Sequence, residues 1–332
     1  MQKYYSKLFV LERGQQEGIF CKGRGWQITF EPSPSSHIHI GPNGAPAKEI
    51  VVYANSIERA QYVVDMVFAA YSLSAGELLA DESNRVFSKR AETVSEIEEQ
   101  LMAGGGRGLG VHHLPVACMI AAKASQRMAY QYALFKFLLS QRTVSLAGDA
   151  LDPERGWEPS KTVSDYPAEH VFNAHAIISG YSVLEELSLE LRASSKKPSK
   201  INGQWNPVVK QELENRLLSA NVDLSEFIIW HLRDTPTKIE RSRQPPSKGK
   251  CEWASAKVRD VYVEVIDAIA YASWLRSVIS AHRLPKLARS LTIYDVANVQ
   301  HLSRRILLEV LGFWRYYQRH PELLKQYEGT DV

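Results

Sequence analysis

Cysteine is scarce in this chain. The 332 residues include three, Cys21, Cys118 and Cys251, which are odd in number, far apart and never in a C-x-x-C pair. This pattern argues against a disulfide framework and against a zinc module. It is typical of a protein that works in a reducing compartment, and we predict a cytoplasmic location.

Long apolar runs are also missing. No segment reaches the roughly 18 consecutive apolar residues that a membrane-spanning helix needs, and the first eleven residues contain only a four-residue apolar run. We therefore expect no membrane partner and no export through an obvious signal sequence.

Net charge is small. Lys and Arg number 40 against 37 for Asp and Glu, a formal charge of +3. This is too little for a strongly basic surface, so any nucleic-acid site must be local. Apolar and charged fractions of 45% and 23% are ordinary for a globular protein, and the length favours about two domains.

The N-terminal part is predicted to form strands. Short apolar, β-branched and aromatic runs alternate with Gly, Pro, Asn and Ser, which is typical of a small antiparallel sheet of about four or five strands. The candidate strands lie at 8–11, 18–21, 26–30, 37–40 and 50–53. A helix capped by Ser56 and a charged helical stretch at 81–102 are expected to pack on the sheet. We predict a β-rich α+β subdomain at residues 1–103.

Two histidines of the fourth candidate strand share a face. His37 and His39 alternate with isoleucines, so their imidazoles lie on the same side of a strand, as ligands of one metal ion would. No Cys, Asp or Glu lies nearby at ligand spacing, which favours two solvent-facing histidines. We assign no residue to a metal ion or a cofactor.

A glycine-rich run at 104–110 has two interpretations. Glycines allow backbone amides to approach a phosphate, but the run lacks the Lys-Ser/Thr ending of a P-loop and the spacing of a dinucleotide fingerprint. A hinge is therefore favoured over a nucleotide-binding loop.

Beyond this run the chain is predicted to be almost wholly helical. Apolar residues recur at steps of three and four, and Thr292 with Asp295 forms a capping box ahead of a final helix. The predicted helices cover 115–142, 167–191, 207–218, 224–232 and 254–282, with the last helix after residue 292. The predicted fold is mostly α, an antiparallel helical bundle at 111–320 joined to the small N-terminal subdomain.

Two polar residues occupy the end of the long helix that starts at residue 254. Arg276 and His282 lie on its last two turns, and Pro285 stops it. His282 should lie beside unpaired carbonyls at the negative end of the helix macrodipole, where a cation is favoured. A purely structural role is the alternative: Arg276 bound to a carboxylate across the bundle and His282 capping carbonyls.

Arg276, five intervening residues and His282, followed by another amphipathic helix, resemble the R-x(4-6)-H signature of the HEPN superfamily. Members of this superfamily are small helical bundles, and many are metal-independent ribonucleases of toxin and antiviral systems. The resemblance covers at most 111–317 and is specific only at these two residues. Ser277 departs from the Asn, Asp or His that often follows the arginine in active members.

The resemblance implies a metal-independent endoribonuclease of a toxin or antiviral type. In such an enzyme an RNA 2′-hydroxyl attacks the adjacent phosphate. His282 transfers a proton, and Arg276 stabilises the charge of the phosphorane. It also implies a homodimer with two motif copies facing one cleft, and a neutralising or regulatory protein partner is possible. One alternative is a non-catalytic HEPN-like module that binds RNA, a nucleotide or a protein. Another is an unrelated helical scaffold in which the motif arose by chance.

Basic residues extend the candidate RNA site. Arg283 and Lys286 directly follow the motif. The segment 233–250 is rich in Pro, Ser and Gly and holds six basic residues against two acidic ones, a local charge of +4. Its candidate RNA contacts are Arg241, Arg243, Lys248 and Lys250. A phosphate backbone is attracted to such a loop, although a solvated linker has the same composition.

A second match to the spacing lies near the C-terminal end. Arg315 and His320 also precede a proline, Pro321. Only a short tail follows them, whereas a helix follows Arg276 and His282 as in the superfamily. We therefore prefer the earlier pair.

Overall fold

The computed structural model describes residues 1–10, 21–32, 48–76, 85–90, 96, 108–109, 114–149, 167–233, 245–254, 258–281 and 291–315. The chain divides into two compact units, Met1–Phe135 and Lys136–Val332. Most of the glycine-rich run lies outside the described residues, so the predicted subdomain limits, 1–103 and 111–320, stay a prediction.

The first unit contains a six-stranded sheet. Its strands are β1 (Gln2–Val10), β2 (Cys21–Gly23), β3 (Trp26–Pro32), β4 (Lys48–Ala54), β5 (Val86–Phe87) and β6 (Gly108–Leu109). The order is β2–β3–β4–β1–β5, and β6 pairs with β1. The pairings are antiparallel except β1 with β6. The predicted antiparallel sheet is confirmed, with β3 and β4 at the expected places.

The structure differs from the N-terminal prediction at 81–102 and does not describe 37–40. The stretch predicted to be helical at 81–102 contains strand β5, because Val86 and Phe87 pair with Ser6 and Tyr5 of β1. The strand predicted at 37–40, with His37 and His39, falls outside the residues that the structure describes.

Helix α1 (Ile57–Ala75) begins as predicted, because Ser56 Oγ accepts a hydrogen bond from the backbone N–H of Arg59 at 3.2 Å. α1 packs against β4 and against α2 (Leu114–Ala124). The next helix, α3 (Met128–Asp149), is separate from α2, because the chain turns at 125–127. The single helix predicted at 115–142 is therefore wrong.

The second unit combines helices with a second sheet. Its helices are the end of α3, α4 (Pro167–Glu186), α5 (Pro207–Ser219), α6 (Val265–Ala281) and α7 (Ile293–Leu311). A hairpin of β7 (Lys200–Ile201) and β8 (Gln204–Trp205) precedes α5. The sheet has the order β10–β11–β9, formed by β9 (Phe227–Arg233), β10 (Lys250–Ala254) and β11 (Val258–Glu264).

Strands β9 and β11 correct two predicted helices. Residues 224–232 were expected to be helical, and the long helix was expected to start at 254, whereas α6 begins at Val265. In β9, Ile228, Trp230 and Leu232 are buried at every second position, and Val261 and Val263 do the same in β11. Their β-branched and aromatic side chains fit a half-buried pleat. Val258 and Val261 are three residues apart, as on one face of a helix, but both lie in strand β11.

Helix α4 contacts α3, α6 and α7. Lys136 of α3 forms an ion pair of 2.6 Å with Glu186 of α4. The hydroxyl of Ser303 in α7 donates to the carbonyl of Gly180 in α4 at 2.7 Å. α6 packs against α4 and α7, and the edge of the Trp230 indole meets Tyr271 of α6 at 5.6 Å between ring centroids. The second unit thus has one core shared by helices and sheet.

Helix α7 is fixed at both ends. The predicted capping box is confirmed, because Asp295 Oδ2 accepts from the backbone N–H of Thr292 at 2.9 Å. Near the other end, the buried Arg305 donates to the carbonyls of Asp223 and Phe227 at 2.9 and 3.0 Å. Because Phe227 begins β9, this contact holds β9 alongside α7. The described residues therefore form a helix-rich chain with two larger sheets and the β7–β8 hairpin. Among the described helices, none combines the length and the apolar character that a membrane span requires.

Candidate functional site

Arg276 is the described member of the predicted catalytic pair. It lies on the second-last turn of α6, and its Nη2 is 3.1 Å from Oε1 of Glu185 on α4. The two side chains are 41% and 31% exposed. Arg276 therefore binds a carboxylate on a neighbouring helix, as expected for a structural role. The ion pair is nevertheless partly exposed.

The other residues of the motif are only partly described. Helix α6 ends at Ala281, and His282, Arg283 and Lys286 lie outside the described ranges. The pairing of Arg276 with His282 consequently stays a prediction. Ser277 is exposed, and its hydroxyl donates to the carbonyl of Ser273 one turn earlier at 2.8 Å.

Of the basic residues predicted in segment 233–250, Lys248 and Lys250 lie in the described ranges. Arg241 and Arg243 fall in a part of the chain that the structure does not describe, and Lys250 is the first residue of β10. Lys248 Nζ lies 2.7 Å from Oε1 of Glu264, and this hydrogen bond raises the pKa of the ammonium group. The charge of Lys248 is therefore offset locally.

In the competing pair, Arg315 and His320, the structure again describes the arginine and not the histidine. Arg315 is an exposed residue just after α7, and His320 is not described. Arg315 lowers the pKa of Asp223 weakly, after stronger hydrogen bonds from Ser225. Within the described ranges, no contact of Arg315 distinguishes it as a phosphate-binding group.

A polar cluster that the sequence did not predict is centred on His231. His231 of β9 lies directly opposite Asp260 of β11, and Nδ1 is 2.7 Å from Oδ1. Asp260 is 7% exposed, whereas the His231 side chain is 21% exposed. A buried carboxylate thus fixes the orientation of an imidazole that remains partly open.

Helix α7 completes this cluster. Asn298 accepts from the backbone N–H of His231 at 2.8 Å and donates to its carbonyl at 2.9 Å, so it closes the free edge of β9. The ring of His301 meets the ring of His231 edge-on at 5.5 Å, and the ring of Tyr294 lies 6.2 Å away. Burial, followed by repulsion from His231 and Arg304, lowers the pKa of His301 to about 3. His301 is therefore neutral at physiological pH.

The sheet face that carries His231 is partly open. Because paired residues in an antiparallel register point to the same face, Phe227, Ile229 and His231 share it with Asp260, Tyr262 and Glu264. Phe227 is 48% exposed and Tyr262 is 38% exposed. We call these six residues the outer face of the second sheet.

The two cysteines whose side chains are described, Cys21 and Cys118, do not form a reactive site. Cys21 and Cys118 are free and buried, and the thiol of Cys21 donates to the carbonyl of Cys118 at 2.9 Å. Burial raises the pKa of Cys21 to about 11, so the reactive thiolate is rare at neutral pH. Among the described side chains, no three His, Cys, Asp or Glu residues are grouped as ligands of a metal ion.

No family model, curated protein or solved structure matches this chain. Function is therefore inferred from its own residues and contacts.

Proposed function

We propose that this protein is a metal-independent endoribonuclease of a toxin or antiviral-defence type, with Arg276 and His282 as its catalytic pair. In this proposal α3, α4, α6 and α7 form a HEPN-like bundle. The observation that carries it is the position of Arg276 near the end of a core helix, 41% exposed and oriented by Glu185. α6 ends at Ala281, directly before His282.

The chemistry needs both residue types. His282 takes the proton of an RNA 2′-hydroxyl, the 2′-oxygen bonds to phosphorus, and the bond from phosphorus to the 5′-oxygen breaks. The products are a 2′,3′-cyclic phosphate and a 5′-hydroxyl. The planar guanidinium of Arg276 contacts two phosphate oxygens and stabilises the charge that builds up on them.

A second proton donor is required, because the leaving 5′-oxygen must gain a proton while His282 holds the one from the 2′-hydroxyl. We propose that His282 of a second copy supplies it, in a two-fold homodimer whose cleft contains both motifs. Light scattering at micromolar concentration tests this assembly. A dimer is expected, and a strictly monomeric protein would contradict the composite site.

Two contacts favour a second candidate, a non-catalytic module that binds RNA, a nucleotide or a protein partner. Arg276 is already neutralised by Glu185, and Ser277 is hydrogen-bonded within its own helix. A phosphate that binds Arg276 must compete with the Glu185 carboxylate.

The two candidates are separated by incubating wild-type protein with labelled RNA in excess EDTA and analysing the ends of any fragments. The nuclease predicts fragments with 2′,3′-cyclic phosphate ends, because the 2′-hydroxyl is the nucleophile and no metal ion takes part. Intact RNA that nevertheless comigrates with the protein in a native gel would reject the nuclease and support the binding module.

A further inference from the structure

Three segments of the first unit carry five cationic side chains. The segments are the turn between β2 and β3 at 22–25, the start of α1 at 56–62, and the end of α2 with the start of α3 at 123–131. Four of the cations are exposed and Arg59 is half-buried. We call these five residues the basic surface: Lys22, Arg24, Arg59, Lys123 and Arg127.

A chain of hydrogen bonds holds the three segments together. The Nη2 group of Arg59 donates to the carbonyl of Arg24 at 2.9 Å, and the backbone N–H of Arg24 donates to the hydroxyl of Ser125 at 3.4 Å. Gln131 donates to the carbonyl of Ser125 at 3.3 Å and accepts from the hydroxyl of Tyr62, which lies on α1 with Arg59. Because these contacts form a closed loop through all three segments, the segments are fixed side by side.

The charges of the basic surface are not offset by ion pairs. Within the part of the chain that the structure describes, no carboxylate lies at ion-pair distance from any of its five cations. Glu58 is the one acidic residue in the three segments. Lys248 and Arg276 differ in this respect, because each is paired with a glutamate. The basic surface therefore attracts a ligand that carries several negative charges.

Two of the arginines are oriented by aromatic rings. The guanidinium of Arg59 lies 5.3 Å from the ring centroid of Tyr62, and that of Arg127 lies 5.3 Å from the ring centroid of Tyr130. Arg127 also donates to the hydroxyl of Tyr130 at 3.2 Å. A guanidinium has five N–H donors, so most of them remain to bind a ligand. An oriented guanidinium fork fits the paired oxygens of a phosphate.

We propose that the basic surface binds the phosphate backbone of RNA. Several cations on fixed turns suit a chain of regularly spaced phosphates, and contacts to phosphates hold a nucleic acid without reading its sequence. The proposal rests on the proposed function for the identity of the polyanion, RNA. It involves residues of the first unit alone and none of the proposed catalytic pair.

The salt dependence of RNA binding tests the proposal. We define its slope as the change in the logarithm of the binding constant with the logarithm of the salt concentration. The His282→Ala protein, which is expected to leave RNA intact, is titrated in EDTA with a single-stranded RNA of about 12 nucleotides. The same measurement is made after adding the triple change Lys22→Ala, Arg24→Ala and Arg127→Ala, which keeps the backbone contacts of Arg24.

The triple variant should have a slope shallower by about 2, since each of three lost phosphate contacts accounts for about 0.7. Between about 50 and about 200 mM salt, the parent protein should therefore lose about twentyfold more affinity than the triple variant loses. An unchanged slope in a variant with unchanged thermal unfolding would overturn the proposal.

A second triple variant controls for overall charge. Lys3→Ala, Arg192→Ala and Lys197→Ala together remove the same net charge, but each of these cations is already ion-paired with a glutamate. This variant should change the slope by less than about 0.7, the effect of one phosphate. Equal effects of the two triple variants would overturn the proposal, because they would indicate attraction to the whole protein.

Lysine footprinting supplies an independent measurement. Acetylation by an N-hydroxysuccinimide ester is followed by mass spectrometry with and without RNA. Saturating RNA should slow the modification of Lys22 and Lys123 at least about fivefold, because phosphates cover their ammonium groups. Lys210, which is paired with Glu214 on α5, is the internal reference. Unchanged modification of Lys22 and Lys123 would overturn the proposal.

Anionic lipid is the competing partner, because a negatively charged membrane also attracts clustered lysines and arginines. Sedimentation with phosphatidylserine vesicles distinguishes the two. Vesicle binding that the first triple variant loses, together with an unchanged RNA slope, would overturn the proposal in favour of a lipid surface.

The outcomes for the two proposals are distinct. A salt slope that depends on the basic surface, together with a wild-type protein that cuts no RNA, would reject the nuclease and keep the RNA-binding surface. Cleavage that depends on His282, with the slope unchanged in the first triple variant, would keep the nuclease and reject the surface.

Discussion

Arg276 of α6 and Glu185 of α4 are joined by an ion pair of 3.1 Å. Both side chains are more than a quarter exposed, so the pair contributes at most about 1 kcal/mol to the free energy of unfolding. The main consequence of the ion pair is electrostatic. The carboxylate of Glu185 lowers the positive potential at Arg276 and so weakens the attraction of a phosphate to it.

We expect Glu185→Gln to tighten RNA binding, since a neutral amide still orients the guanidinium but no longer competes with phosphate. The free energy of unfolding should change by less than about 1 kcal/mol. RNA titration and denaturant unfolding measure the two effects. Glu186→Gln is the matched control, because Glu186 lies on the same helix and pairs with Lys136. Weaker RNA binding by Glu185→Gln than by Glu186→Gln would show that the carboxylate supports the site.

The basic segment 233–250 should contribute unequally to RNA binding. The salt dependence of RNA affinity is the slope of the logarithm of the binding constant against the logarithm of the salt concentration. Replacing both Arg241 and Arg243 by Ala should make this slope shallower by about 0.7 for each phosphate that the protein no longer neutralises. Lys248→Ala should have a smaller effect, because Lys248 is already paired with Glu264. Affinity measured between low and high salt gives both slopes. Unchanged slopes for the double arginine variant would identify the segment as a solvated linker.

The lowered pKa of the half-buried His301 predicts acid sensitivity. Its pKa is lowered from 6.5 to about 3 in the folded chain, first by burial. Between these values the unfolded chain binds a proton that the folded chain does not, so the free energy of unfolding falls as pH drops below about 6.5. The loss is at most about 1.4 kcal/mol per pH unit, the effect of one proton. Denaturant unfolding at pH 7 and pH 5 measures it.

His301→Gln should remove this part of the pH dependence, because glutamine does not titrate. The variant should lose less stability than the wild type between pH 7 and pH 5. His175→Gln, at an exposed position on α4, serves as the control and should follow the wild-type curve. Parallel curves for wild type and His301→Gln would contradict the burial argument.

Local signals in the sequence predicted the elements that depend on local contacts. Ser56 and the pair Thr292 and Asp295 cap their helices as expected, because a cap is decided within four residues. The apolar spacing at 224–232 predicts a helix although the segment contains β9, since a short apolar run fits both periods and only the partner strand decides between them.

The polar contacts were less predictable than the elements. His231 and Asp260 are 29 residues apart and meet only because β9 pairs with β11 in one register. With both segments assigned to helices, no argument from spacing could place them together. The sequence suggested that Arg276 could bind a carboxylate across the bundle. It could not identify that carboxylate as Glu185, because the choice of partner depends on how α4 and α6 pack.

The most direct test of the central claim is the rate of RNA cleavage in EDTA for four single variants. The account predicts that His282→Ala and Arg276→Lys each lose at least about 100-fold in rate, the effect of removing a general acid–base group or a two-pronged phosphate contact. Arg315→Lys and His320→Ala should cut RNA at the wild-type rate. Loss of cleavage in the second pair with normal cleavage in the first, or equal rates in all four variants, would contradict the assignment of Arg276 and His282.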